Sequence, residues 1–157
     1  GNYESAIKAI SRIRKIGEPG RIPSYSEPAL KLNRLVIQTA NEIRSQLKDF
    51  GNLIESDQAE AKLTAMLGYL TLRQGFGALK MVKPDLAAFQ KKYTLKENKQ
   101  LTREAKVINS ANQANTKSKK TRAIDTLREL VDQTENEAVR EEAKKRLFEL
   151  KRTMDVD

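Results

Sequence analysis

The chain has 157 residues, a single domain's worth, with 38% hydrophobic and 32% charged residues; 30 Lys plus Arg stand against 21 Asp plus Glu, a net charge of +9. It contains no Cys, His or Trp, which excludes disulfides, zinc held by thiolate or imidazole, haem with a His or Cys ligand, Cys proteases and Ser-His-Asp hydrolysis. Leu, Ile, Val and Phe make up 37 of the residues, above the level of about 20% below which chains stay disordered, so a folded, basic protein is expected.

No apolar run approaches the roughly 18 residues of a membrane span, and no leader pattern opens the chain. The expectation is therefore an intracellular protein (cytoplasm, nucleoid or nucleus) with no membrane partner. Gly1 stands where Met would begin a natural chain, which predicts a piece of something larger.

Few Gly, few Pro and few β-branched runs favour helix over strand, and the apolar spacing agrees. Ala6, Ile7, Ile10, Ile13 and Ile16 recur at steps of three and four before Gly17, predicting a first helix from Tyr3. Gly17 to Pro28 holds three of the four prolines and reads as a loop. Ser26 is placed to cap a long helix that carries Leu32, Leu35, Val36, Ile43, Leu47 and Phe50 and ends at Gly51. Ser56 reads as the cap of the next, with Ala59, Leu63, Met66, Leu67, Tyr69 and Leu70 inside and Gly75 and Gly77 after it. A short apolar piece with Phe76, Leu79 and Val82 follows, and Pro84 suits the first turn of a helix that reaches Tyr93.

Thr94 with Glu97 and Thr134 with Glu137 have capping-box spacing, so a helix is predicted just after each threonine. Leu101, Ala105 and Ile108 share one face. Asn109 to Ser118 is small and polar and reads as a solvated helix end or hinge. Ile124, Leu127, Leu130 and Val131, then Val139, Ala143, Leu147, Leu150 and Met154, form the two arms of a C-terminal helical hairpin. The predicted fold is an all-α bundle of about six or seven helices, with a helical core over 1–93 and a polar basic connecting helix plus hairpin over 94–157, or one continuous domain. No internal repeat is visible.

The charge is unevenly distributed. From Arg73 to Arg122 there are 13 basic residues against Asp85, Glu97 and Glu104, a surplus of +10, while the rest of the chain sums to −1. Lys92, Lys96, Lys99, Arg103 and Lys106 step by four, three, four and three, so on one continuous helix they form a stripe opposite Leu101, Ala105 and Ile108. Like charges at that spacing repel by a few tenths of a kcal/mol per pair. A polyanion along the stripe relieves that repulsion and releases counterions, the sequence-independent basis of nucleic-acid affinity. The competing readings are a solvated face, or pairing with the acidic stretch from Asp125 to Glu142, within the fold or between copies.

The candidate phosphate contacts are Lys80, Lys83, Lys91, Lys92, Lys96, Lys99, Arg103, Lys106, Lys117, Lys119, Lys120 and Arg122. Phe89 and Tyr93 could stack bases beside Lys91 and Lys92, but packing in the core with Leu86 is preferred. A helix-turn-helix over Thr102 to Arg122 lacks the apolar residues a recognition helix needs. Arg73, Gly75, Phe76 and Gly77 lack the strand and the Gly-Lys-Ser/Thr element of a phosphate loop. Glu55, Asp57 and Glu60 are better explained by the dipole at a helix start than by acid-base or metal chemistry. Tyr25 between two serines is an ordinary loop residue, and Lys8, Arg12 and Lys15 make a smaller basic face. No nucleophile, base and oxyanion donor stand at a usable spacing.

The expectation is thus a non-enzymatic nucleic-acid-binding domain with no cofactor or metal. It contacts DNA or RNA backbone with little base specificity, within a viral or bacterial nucleic-acid-processing protein. The alternative is a helical interaction module whose acidic hairpin and basic segment bind a protein partner or a second copy.

Overall fold

The computed structural model describes the backbone of residues 26–94 and 96–154, and the side chains of 31, 34–94 and 97–154. The expected first helix, its face of Lys8, Arg12 and Lys15, Tyr25 and Leu32 as a core side chain lie outside the described residues. Six α-helices and one 3-10 turn follow one another, with no strand among the described residues: α1 (Ser26–Glu55), α2 (Ala59–Phe76), α3 (Lys83–Tyr93), the 3-10 turn (Lys96–Asn98), α4 (Lys99–Ala111), α5 (Lys117–Gln133) and α6 (Glu137–Met154).

Val36, Ala40, Ile43, Leu47 and Ile54 recur every three, four or seven residues along α1, and all are buried. That stripe packs on α2, as an amphipathic helix requires. Leu35 lies off it and is exposed. Pro28 sits in the first turn of α1, where a missing N–H costs nothing, so the expected loop ends before it.

Gly51 does not end α1, which runs on through it to Glu55. The reason is packing across helices: Gly51 is buried, and a Cβ there would stand 2.7 Å from Tyr93 Oη. The phenol of α3 replaces the side chain that Gly51 lacks. Gly68 of α2 plays the same part towards α1, its missing Cβ leaving the space that the Phe50 ring fills.

Ser56 closes α1 and does not open α2. Its Oγ donates to the Leu53 carbonyl at 2.7 Å, and Gln58 holds the N-cap position of α2. α2 lies between α1 and α4, which explains why Leu63, Met66, Tyr69, Leu70 and Leu72 are buried on more than one of its faces. Leu79 and Val82 bury the turn that follows, and Pro84 sits in the first turn of α3. Phe89 is buried, stacked on Tyr69 with ring centroids 4.7 Å apart and tilted against Tyr93. Its ring is therefore core and offers no stacking platform.

Thr94 also ends a helix where the capping-box spacing predicted a start. Its N–H and its hydroxyl both donate to the Gln90 carbonyl, at 3.0 and 2.6 Å. α4 begins only at Lys99 and buries Leu101, Thr102, Glu104, Ala105, Ile108 and Ala111. The polar stretch after it contains a helix start: Thr116 takes the N-cap of α5, its hydroxyl accepting from the Lys119 N–H at 3.4 Å. α6 is capped by Asn136, whose Oδ1 accepts from the Ala138 and Val139 amides at 3.1 and 3.4 Å.

Thr134, the residue predicted for that cap, is instead buried and donates its hydroxyl to Glu104 Oε1 at 2.9 Å. Gln100 donates to the same oxygen at 3.2 Å. A buried carboxylate is costly unless hydrogen-bonded; both donors are neutral, and the one from Thr134 ties α4 to the turn between α5 and α6. Leu127 of α5 and Val139 and Ala143 of α6 have no exposed surface and join Ile108 and Met66 in one continuous core.

Candidate nucleic-acid interface

Lys92, Lys96, Lys99, Arg103 and Lys106 do not share one helix. The break at Thr94 and the 3-10 turn puts Lys92 on α3, Lys96 in the turn, and Lys99, Arg103 and Lys106 on α4. The side chain of Lys96 lies outside the description. Lys99, Arg103 and Lys106 keep steps of four and three on the exposed face of α4, opposite its buried face.

Lys92 is already engaged. Its Nζ donates to Glu55 Oε1 at 2.9 Å and to Tyr93 Oη at 2.8 Å, and Tyr93 Oη donates to the same carboxylate oxygen at 2.9 Å. The hydrogen bond to Tyr93, then that to Glu55, holds the Lys92 ammonium protonated well above the ordinary lysine range. The hydrogen bonds of Glu55 to Lys92 and Tyr93 lower its carboxyl in turn. This group fastens α1 to α3, as does Arg44, which donates to Asp85 and to the Met81 carbonyl, both at 3.0 Å.

Within the acidic stretch, Asp125, Glu137, Glu141 and Glu142 are paired locally. Asp125 pairs with Arg128 at 3.4 Å, Glu141 with Lys144 at 2.7 Å, and Glu137 with Arg140. Arg146 bridges Glu142 and Glu149 at 3.0 and 2.7 Å. Each of these partners stands three or four residues away on its own helix. None of them belongs to the basic segment.

Lys80 lies in the turn after α2, Lys83 opens α3 and Lys91 is in its last turn, and all three are exposed. They stay away from the feature that gathers the others. Between the C-terminal half of α4 and the N-terminal half of α5 runs a groove of about 490 Å³, bordered by Lys106 on one helix and Lys119 and Arg122 on the other. Those three cations are exposed and, among the described residues, have no carboxylate within 4 Å. Val107, Ala111, Ala114 and Ala123, all buried or half-buried, line its floor. Ser110, Gln113 and Thr126 add polar groups and no acidic residue lines it. Gln113 also hydrogen-bonds Gln74 of α2, which anchors the turn between the two helices.

Lys117 is exposed in the first turn of α5, and Lys120 Nζ lies 3.5 Å from the Thr153 carbonyl at the end of α6. The start of α5 is therefore beside the end of α6, so α6 begins at the far end of the pair. There Glu60, Glu137 and Glu141 border a second groove of about 370 Å³. The α5–α6 pair is basic at one end and acidic at the other. Among the described residues no group of three or more acidic side chains is arranged to hold a metal ion, and no helix is long and apolar enough to cross a membrane.

Sequence reasoning found all three groove cations within a longer series, but not the groove. Its floor residues are small and unremarkable in sequence, and only the crossing of α4 and α5 brings them together. Comparison with family models, curated proteins and solved structures returns no match.

Proposed function

We propose that the chain is a non-enzymatic nucleic-acid-binding module that neutralises backbone phosphates through the α4–α5 groove, with little base specificity, inside a larger viral or bacterial nucleic-acid-processing protein in the cell interior. The observation that carries this reading is the set of Lys106, Lys119 and Arg122 around one concave surface with no carboxylate in its lining. Such a cluster repels itself, and a phosphate chain is the ligand whose charge spacing relieves several cations together. Lys99, Arg103 and Lys117 extend the contact on either side. Lys80, Lys83 and Lys91 are outlying contacts, and Lys92 contributes least because Glu55 already neutralises it.

In the same reading α5 and α6 are a C-terminal helical hairpin whose acidic far end turns a polyanion away and so orients it on the basic end. The alternative of an acidic hairpin docking on a protein partner or a second copy has less support, since Glu137, Glu141, Glu142 and Glu149 are already paired within α6.

The test is fluorescence anisotropy with labelled DNA and RNA across a salt series. Three phosphates engaged by the groove predict a log-log slope of about −2 on a single strand, a loss of roughly 20-fold between 50 and 200 mM salt. Absence of binding at low salt would overturn the proposal.

A further inference from the structure

We infer that the α4–α5 groove takes a single strand of nucleic acid, threaded between Lys106 on one rim and Lys119 and Arg122 on the other, and does not take a duplex. This rests on the reading of the groove as a phosphate-backbone site.

The groove changes polarity from rim to floor. Its rims are cationic and exposed, while its floor of Val107, Ala111, Ala114 and Ala123 is apolar and partly or fully buried. A duplex turns its phosphates outward and its bases inward, so a duplex strand pressed into the groove would set charged phosphates against Val107 and Ala123. That removes water from the phosphates and returns no hydrogen bond, which is costly. A single strand has the complementary polarity. Its bases and sugars are free to rotate towards the floor while its phosphates stay at the rims, each met by a lysine or arginine.

Size agrees with this. About 490 Å³ lies within the range of sites that enclose one small organic ligand, room for a nucleotide unit but not for the width of a double helix. The floor has no aromatic residue, so it supplies apolar contact without a stacking platform, and discrimination among bases is weak. Ser110, Gln113 and Thr126 can bond to sugar or phosphate oxygens, contacts that position a strand without reading it.

The experiment compares, at one low salt concentration, anisotropy of the full chain with a labelled oligothymidylate and a labelled oligouridylate of about 20 nucleotides and with a duplex of about 20 base pairs. At least about tenfold tighter binding of one or both single strands is expected. Ala123→Gln, which narrows the floor with a good helix former, is expected to weaken single-strand binding about fivefold and to leave duplex binding unchanged. Equal or tighter binding of the duplex by the unaltered chain would overturn the inference while leaving the phosphate-backbone reading intact. Failure to bind any of the three would overturn both.

Discussion

The triple variant Lys106→Glu, Lys119→Glu, Arg122→Glu is expected to bind nucleic acid more than about 100-fold more weakly than the unaltered chain, with its helicity unchanged. An exposed ion pair is worth up to about 1 kcal/mol, and reversal replaces each attraction by a repulsion. At about 0.5 kcal/mol for each attraction lost and each repulsion gained, three sites together cost about 3 kcal/mol, a little over two powers of ten in affinity. All three side chains are exposed and have no carboxylate partner among the described residues, so the fold loses nothing with them.

Lys92→Glu is the matching control. It reverses a charge in the same basic segment but at an ammonium held by Glu55 and Tyr93, and a change of less than about threefold in affinity is expected. Anisotropy titrations of both variants, with circular dichroism for helicity, check the pair. A loss per reversed charge as large in Lys92→Glu as in the triple variant would show that total charge matters and the groove does not.

Leu127→Ala is expected to lower the unfolding free energy by about 2–5 kcal/mol. Leu127 has no exposed surface and belongs to the core cluster shared by all six described helices. Cutting its side chain back to a methyl opens a cavity in the cluster that also holds Ile108 and Val139. In a chain of this length a loss of about 3 kcal/mol lowers Tm by roughly 6–12 °C. Phe148→Ala is the contrast: that ring is 68% exposed, and an effect within about 0.5 kcal/mol is expected. Urea unfolding of both variants decides the matter, and a loss below about 1 kcal/mol for Leu127→Ala would contradict a shared core.

The elements that were legible in the sequence are those written in a repeating period. The spacings of Val36, Ile43 and Leu47, and of Leu101, Ala105 and Ile108, are long enough to mark a buried face, and Pro84 marks a helix start because proline fits few other places. Phe89 reads as core packing with Leu86, and its stack on Tyr69 places it there.

What failed were inferences from single residues. A serine or threonine hydroxyl can accept an amide at a helix start or donate to a carbonyl at a helix end, and Ser56 and Thr94 donate, to Leu53 and Gln90, while Thr134 accepts the Asn136 N–H and donates to the Glu104 carboxylate without capping α6. Composition around them is the same in either case. Gly51 read as a stop because glycine costs helix propensity, yet the Tyr93 phenol, brought in from 42 positions away, needs the space.

The candidate site was legible as a charge surplus and illegible as a shape. Counting found +10 between Arg73 and Arg122, but the count treats Lys92 and Lys106 alike. Only the fold sets Glu55 against the first and leaves the second facing Lys119 and Arg122 across a groove. The single-helix stripe failed at the point where Thr94 ends α3. Periodicity alone could not register that break, since the basic spacing continues across it.

The most direct test of the central claim is a titration of isotope-labelled protein with an unlabelled oligonucleotide, followed by backbone amide chemical shifts. The largest shifts are expected on Lys106, Ser110, Gln113, Ala114, Lys119 and Ala123, with little change at Arg44, Glu55 and Lys92. Shifts concentrated on α1 and α3, or spread evenly over every exposed lysine, would contradict it.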